Sequence, residues 1–398
     1  MVSFSSSANA LRSSEIRRLL SLATRPDIIS FAGGMPNNDL FPIKELDDIY
    51  KSLSDDLKKT GFQYGPTPGY PPLLESVKAY LKRKGLNVEN NELIITTGSL
   101  QAIYLIAKVF IDPQETIITE DPCFIGAVAA FKSFQANIHG ISLDENGIDI
   151  ALLQQALDNP ELTSKILYIT PYFHNPAGII YSQDRKNELI ETLQNRDIIL
   201  LEDDAYGELY FDEEDKELTT PIKSVADEVL SICYTGSFSK IFGPGMRLGW
   251  LLAPREIIEK CSLAKQGIDA CTPTFTQIMA NEFLMQNKLS GYVSMLRKRY
   301  AQRCKKTLAA MDQHMPEYCR WTRPKGGFYI WVTMPEHMDA TKVLEKAIDR
   351  GAVFVIGSAF DPQGENNHHF RISFSHVDED KIEQGIEMIA AAIQSVYS

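Results

Sequence analysis

The sequence predicts an α/β protein that has a large domain, with a mostly parallel sheet between helices, and a smaller α/β domain. Short apolar stretches rich in β-branched residues alternate with segments of helical periodicity up to residue 285. This alternation is typical of a parallel sheet whose two faces are covered by helices. Beyond residue 285, a long helical segment precedes three further strand-like stretches. We therefore expect an N-terminal segment over 1–45, a large domain over 46–285 and a small domain over 286–398.

The strands and helices of the large domain follow from these patterns. The apolar runs predict strands at 93–97, 116–119, 166–170, 198–202, 229–235 and 248–253. Apolar residues at helical spacing predict a helix over 100–111, and Ser182 is the expected N-cap of a second helix over 182–195.

The small domain is predicted in the same way. Residues 281–312 are expected to form one long helix, and 379–396 the final helix. Strands are expected at 328–334, 353–356 and 370–374.

Composition excludes several classes of protein. Of the 398 residues, 44% are hydrophobic and 23% charged, and the net charge of −12 argues against nucleic-acid binding. No apolar run approaches the roughly 18 residues of a membrane helix, and the first residues lack a secretory apolar core. The six cysteines form no C-x-x-C pair, and His368 and His369 lack partners at ligand spacing, so we expect no metal. A cytoplasmic location follows as the expectation.

A lysine follows one of the predicted strands in a polar loop. TGSFSK (235–240) places Lys240 at a strand's carboxyl end, and GPGMR (243–247) follows. A lysine whose pKa is lowered by burial or by a cation such as Arg247 attacks carbonyl groups. The alternative is a solvated surface lysine.

Two more strand ends carry polar residues. EDDAY (202–206) presents Asp203 and Tyr206, which could turn into one crevice or form an ordinary acidic helix start. TPYFHNPAGI (170–179) either is a simple turn or aims the Asn175 amide at a ligand.

A fourth strand end is suited to an anion. ITTGSLQA (95–102) passes from a strand through Gly98 and Ser99 into a helix, whose first N–H groups favour a phosphate. It matches neither a nucleotide P-loop nor a Rossmann fingerprint. A Gly-Ser pair before a helix is also common without a ligand.

Taken together and in this order, these motifs resemble the fold type I pyridoxal-phosphate enzymes, specifically the class I/II aminotransferases. The segments SFAGGMPNNDLFP (30–42), QYGPTPGYPPL (63–73), RPKGGFYIW (323–331) and FRISFS (370–375) are similar to the branch that includes the 2-aminoadipate and kynurenine aminotransferases. The resemblance covers nearly the whole chain.

The resemblance implies a role for each strand-end residue. Lys240 would hold pyridoxal phosphate as a Schiff base and then move the proton between the substrate and the cofactor. Asp203 would keep the cofactor's ring nitrogen protonated. Asn175 and Tyr206 would hydrogen-bond the ring oxygen, and Phe124 would stack on the ring.

It also implies the groups that bind the phosphate and the substrate. The phosphate would be held by Ser99, the Leu100 N–H, Ser237, Ser239 and Arg247, with Tyr64 reaching it from the other subunit of a homodimer that has shared active sites. Arg371 would pair with the substrate's α-carboxylate beside Asn175.

The N-terminal segment would fold over the substrate's side chain. Gly34 is assigned to the substrate site, and Arg17 is hypothesised to pair with a distal carboxylate. The alternative for Arg17, in a segment that also has Arg12 and Arg18, is the solvated face of a helix.

The expected function is transfer of an amino group from an L-amino acid (glutamate, 2-aminoadipate, aromatic or aliphatic) to a 2-oxo acid such as 2-oxoglutarate by a ping-pong mechanism. A β-lyase or decarboxylase on the same fold is the nearest alternative, because the cofactor-binding residues do not separate these reactions. A cofactor-sensing transcription regulator is less consistent with a sequence whose matching motifs begin near residue 30.

Overall fold

The computed structural model of the chain describes residues 3–5, 8, 25 and 27–397. Eight strands form one large sheet in the order β2-β9-β8-β7-β6-β3-β4-β5. These strands are β2 Glu92–Thr96, β3 Thr116–Asp121, β4 Asn137–Asp144, β5 Gly147–Ile148, β6 Ser164–Ile169, β7 Ile199–Asp204, β8 Ser231–Ser237 and β9 Gly249–Ala253. The five central strands β4, β3, β6, β7 and β8 pair in parallel, whereas β9 and β5 are antiparallel to their neighbours.

Helices cover both faces of this sheet, as a sheet of buried parallel strands requires. The helices that precede, connect or follow its strands are α1 Ile43–Ser52, α2 Asp55–Gly61, α3 Pro71–Arg83, α4 Ser99–Phe110, α5 Ile125–Ser133, α6 Ile150–Asp158, α7 Gln183–Leu193, α8 Ile222–Ala226 and α9 Arg255–Gln266. The Ser182 hydroxyl caps α7 by accepting a hydrogen bond from the Arg185 N–H at 3.1 Å, as its sequence position predicts.

All six strands predicted for the large sheet are present, with ends shifted by no more than two residues. Strand β4 was missed because its sequence, NIHGISLD, has no apolar run. Its side chains alternate unevenly between buried and exposed positions.

The long helix predicted over 281–312 is wrong as a single element. Two helices occupy the region, α10 Thr274–Met285 and α11 Lys288–His314. Asn287 between them has a φ of 55°, a left-handed conformation that interrupts a right-handed helix.

A second sheet of four strands lies in the C-terminal part, in the order β10-β11-β14-β13. Its strands are β10 Arg320–Trp321, β11 Tyr329–Thr333, β13 Val355–Ile356 and β14 His369–Ser373. Helices α12 Ala340–Arg350 and α13 Ile382–Tyr397 complete this part, and the strand predicted over 353–356 is divided between β13 and the separate strand β12, Ala352–Val353.

The N-terminal part contacts this C-terminal region directly. Strand β1, Ile29–Ser30, pairs in parallel with β12, and the Ser373 N–H donates to the Phe31 carbonyl at 2.9 Å. The division of the chain at residues 45 and 285 stays a prediction. None of the helices in the described residues is long and apolar enough to cross a membrane.

Candidate active site

A cavity of about 340 Å³ opens at the carboxyl ends of the central parallel strands. Open α/β sheets place their ligand sites there. Twelve of the residues predicted from sequence line this cavity, namely Gly34, Ser99, Leu100, Phe124, Asn175, Asp203, Tyr206, Ser237, Ser239, Lys240, Arg247 and Arg371. The chain therefore brings together residues that are up to 337 positions apart, from Gly34 to Arg371.

Lys240 lies three residues beyond β8 with its amine inside the cavity. Its Nζ donates to the Gly34 carbonyl at 2.8 Å and lies 5.6 Å from the ring centre of Tyr206. Burial lowers the pKa of this amine to about 8, and the positive charges of Arg371 and Arg247 add to the effect. The alternative of a solvated lysine does not fit this placement. An amine with a lowered pKa is a nucleophile near neutral pH.

Asp203 lies in β7 and is only 3% exposed. Its Oδ2 accepts a hydrogen bond from the Tyr168 hydroxyl at 3.0 Å, whereas Oδ1 is buried without a partner among the described residues. Burial raises the pKa of this carboxyl to about 7. An unpaired carboxylate oxygen at the wall of a cavity calls for a cationic partner, and a protonated ring nitrogen fits it.

Asn175 is held in a tight turn after β6. The Ala177 N–H donates to His174 Nδ1 at 3.1 Å, and His174 Nε2 lies 3.1 Å from Glu120 Oε2. His174 therefore joins this turn to the buried Glu120 carboxylate through a close contact, although its Nε2 makes no hydrogen bond within the described residues.

Arg371 lies in β14, is 3% exposed and contacts Asn175 directly. Its guanidinium donates to Asn175 Oδ1 at 2.8 Å and to the Ala32 carbonyl at 2.6 Å. Its Nε has no partner among the described residues. A buried guanidinium with a free N–H can bind a carboxylate.

The other end of the cavity is suited to an anion. Helix α4 begins at Ser99 after Gly98, which has a φ of 80° and no side chain to cap the helix, so the N–H groups of Ser99 and Leu100 have no partner within the described part of the chain. Arg247 approaches Gly98 and donates to the Thr97 carbonyl at 3.1 Å. Opposite, the Ser237 hydroxyl accepts from the Ser239 N–H at 3.1 Å and keeps its own proton for a ligand. This set of donors fits a phosphate.

For two of the predicted site residues, the role stays a prediction. Tyr64 is 85% exposed, so its contact with a phosphate in a neighbouring subunit stays a prediction. Arg17 lies outside the described residues, as do Arg12 and Arg18.

Two important side chains were not predicted. Tyr168 hydrogen-bonds Asp203, and Tyr329 lines the cavity beside Tyr206. Thr170 lines the cavity and is two residues after Tyr168, so alternation along a strand could have placed both on the same face. Tyr329 lies in RPKGGFYIW (323–331), a segment that carries the family resemblance but did not indicate a role for this tyrosine.

The fold and this cavity, with a lysine between an unpaired carboxylate and an anion site, define an enzyme that binds pyridoxal phosphate. The family described as "Aminotransferase class I and II" matches residues 27–389. The chain belongs to this family, and it is an aminotransferase.

Similar proteins agree with this assignment over almost the full length. The chain is 36% identical to "Aromatic-amino-acid aminotransferase 1" of Thermococcus litoralis, covering 98% of this chain and 94% of that protein. The structure of kynurenine aminotransferase from Pyrococcus horikoshii, in complex with PMP, has a TM-score of 0.95 at 37% identity and covers 99% of this chain and 98% of that one. The alpha-aminoadipate aminotransferase LysN of Thermus thermophilus, bound to N-(5'-phosphopyridoxyl)-L-leucine, has a TM-score of 0.87 at 31% identity, with 99% and 97% covered.

Proposed function

We propose that the enzyme transfers an amino group from an L-amino acid to a 2-oxo acid by a ping-pong mechanism, with Lys240 as the catalytic residue. The observation that carries the proposal is the position of the Lys240 amine, in one cavity with the Arg371 guanidinium and the unpaired Asp203 carboxylate. A substrate whose carboxylate is bound by Arg371 would present its amino group and Cα to this lysine.

Pyridoxal phosphate supplies, when it is bound, an electron sink for the electrons left on the substrate's Cα. Asp203 Oδ1 would hold a proton on the ring nitrogen, and Tyr168 would keep Asp203 in place from the other oxygen. The free N–H groups at the start of α4, with Arg247 and Ser237, would hold the phosphate. Phe124 would pack on the ring.

Lys240 would act as the proton carrier between the substrate's Cα and the cofactor. Its lowered pKa, about 8, means that about a tenth of the amine is neutral at pH 7 and can accept a proton, far more than for an ordinary lysine. Once protonated, the same group acts as the acid for the second transfer.

The range of substrates follows from the wall of the cavity and from the relatives. Met35, Leu100 and Ile125 give the cavity an apolar side, and the similar proteins are named for aromatic, kynurenine and alpha-aminoadipate substrates. We propose aromatic, aliphatic and acidic amino acids as donors and 2-oxoglutarate as an acceptor. Pairing of a distal carboxylate with Arg17 belongs to this proposal, as does a homodimer in which Tyr64 reaches the partner's phosphate site. A cytoplasmic location stays a prediction.

Product analysis tests the reaction type. The purified enzyme is incubated with one amino acid and 2-oxoglutarate, and glutamate, ammonia, carbon dioxide and the new 2-oxo acid are measured. Formation of glutamate and the 2-oxo acid in equal amounts is expected. Release of ammonia with pyruvate from a cysteine conjugate, or of carbon dioxide, without glutamate would support the lyase or decarboxylase alternative.

Three variants complete this experiment. Lys240→Ala should abolish the reaction, whereas Lys260→Ala, which removes an exposed lysine of α9, should not change it. Arg17→Ala should lower activity towards acidic donors more than towards aromatic donors. An unchanged ratio between the two donor classes would refute the role of Arg17.

A further inference from the structure

Two tyrosine hydroxyls meet at the wall of the cavity. The Oη atoms of Tyr206 and Tyr329 are 2.8 Å apart, and either could be the donor. Both side chains are buried, with exposed fractions of 7% and 1%. Among the described residues, neither hydroxyl has another hydrogen-bond partner in the structure. Each hydroxyl has one proton, so the pair can use one proton between its two oxygens and offer the other to a third group.

The position of Tyr329 is fixed by its surroundings. It begins β11 and pairs in register with Ser373 of β14. The guanidinium carbon of Arg371 lies 4.4 Å from the centre of its ring. A Cβ atom at Gly34 would overlap the Tyr329 hydroxyl, so only glycine leaves room for it there. The hydroxyl is thus packed against the residue whose carbonyl accepts from Lys240.

The groups around the two tyrosines decide which hydroxyl is the donor in the hydrogen bond between Tyr206 and Tyr329. Burial raises the pKa of both phenols, so both keep their protons at neutral pH. The charged groups nearby are Lys240, Arg371 and Asp203, and no hydrogen bond joins any of them to either hydroxyl within the described part of the chain. A cofactor ring oxygen that carries negative charge can only accept. Tyr206 can donate its single proton to that oxygen only if Tyr329 donates to Tyr206.

We propose that Tyr329 is a positioning residue, whose hydroxyl donates to Tyr206 and so directs the Tyr206 proton towards the ring oxygen of the cofactor. This rests on the proposed role of Tyr206. Hydrogen bonds in a chain polarise one another, so the Tyr206 hydroxyl becomes a stronger donor. With the cofactor bound, this donor would better stabilise the ring oxygen as an anion and would lower the pKa of the nitrogen through which Lys240 would hold the cofactor.

The test is a pH titration of the visible absorption of the cofactor-loaded enzyme, which reports the pKa of that nitrogen. Three variants are compared with the unmodified enzyme: Tyr206→Phe, Tyr329→Phe and the double variant. Tyr329→Phe keeps the ring against Arg371 and removes only the hydroxyl. We expect it to raise the pKa by about 0.5–1 unit, the size of one hydrogen bond, and Tyr206→Phe to raise it further.

The double variant separates positioning from packing. It should have the same pKa as Tyr206→Phe, because Tyr329 acts through Tyr206. As a control, Tyr292→Phe removes the hydroxyl of a tyrosine on α11 that packs against Phe283 outside the cavity, and it should leave the pKa unchanged.

The inference about Tyr329 would be overturned if Tyr329→Phe left the pKa unchanged. It would also be overturned if adding Tyr329→Phe to Tyr206→Phe raised the pKa by as much as Tyr329→Phe does by itself. Neither outcome would affect the proposed role of Tyr206. If Tyr206→Phe itself left the pKa unchanged, the proposed role of Tyr206 would fall as well. Amino transfer by the unmodified enzyme is measured separately, so failure of the proposed reaction is distinguished from either outcome.

Discussion

Removing the charge of Asp203 should change the stability of the folded protein in opposite directions with and without the cofactor. In the chain alone, its carboxyl is buried and has one hydrogen bond, from Tyr168. Burial raises its pKa from 3.8 to about 7. This difference of about 3 pH units corresponds to roughly 4 kcal/mol of folding free energy.

The sign of the effect follows from proton linkage. The folded state binds the proton of the Asp203 carboxyl more tightly than the unfolded state does. The folding free energy that this proton contributes is therefore fully present below pH 4 and is lost as the pH rises through 7. About three fifths of the loss falls between pH 5 and pH 8. Asp203→Asn removes the titrating group but keeps an oxygen for Tyr168. The cofactor-free variant should therefore be more stable than the cofactor-free enzyme at pH 8, and the advantage should shrink at pH 5.

The cofactor should reverse this order. A protonated ring nitrogen beside Asp203 forms a buried charge pair, and removing one partner of such a pair costs about 3–5 kcal/mol. The Asp203→Asn variant should then bind the cofactor roughly 100-fold to 5,000-fold more weakly. It should also gain much less thermal stability from the cofactor.

Thermal unfolding measures both effects. Enzyme and variant are melted with and without the cofactor at pH 5 and pH 8, with Asp212→Asn as the control for an exposed aspartate. A midpoint higher by a few °C is expected for the cofactor-free Asp203→Asn variant at pH 8. The reasoning is refuted if that variant is no more stable there, or if the cofactor stabilises it as much as it stabilises the enzyme.

Three further substitutions test separate contacts. Arg371→Lys replaces the planar guanidinium, which can pair with a carboxylate through two hydrogen bonds, so KM for amino acids should rise about 10-fold to 100-fold in steady-state assays. An unchanged KM would exclude Arg371 from carboxylate binding. His174→Ala removes the contact between this ring and the buried Glu120, so it should lower the free energy of unfolding by about 1–3 kcal/mol. The loss should be seen as a lower melting midpoint. An unchanged midpoint would show that the contact between His174 and Glu120 does not stabilise the turn. Gly34→Ala should displace Tyr329 and raise KM while the circular dichroism spectrum stays the same; normal kinetics would mean that the cavity wall tolerates the added methyl group.

The large sheet and most of the site could be predicted from sequence because their signals are local. Buried parallel strands require continuous apolar runs, and ligand-binding residues follow directly where such strands end. Lys240, Asp203 and Asn175 each lie within six residues of the end of such a strand. A residue's distance from a strand end can be counted along the chain.

The remaining features depend on contacts between distant residues or on single conformations. Tyr206 and Tyr329 are 123 positions apart, and no local pattern shows that their hydroxyls meet. Strand β4 has no apolar run because its burial pattern is irregular. The break between α10 and α11 occurs where Asn287 adopts a left-handed conformation.

The measurement that tests the account most directly is identification of the residue that carries the cofactor. The loaded enzyme is reduced with borohydride, digested and analysed by mass spectrometry, with and without prior addition of an amino donor. We expect the phosphopyridoxyl group on Lys240, and its loss from Lys240 when the donor has first converted the cofactor to its amino form. Modification of another lysine, or no modification of the loaded enzyme, would contradict the assignment of Lys240 and the proposed function that depends on it.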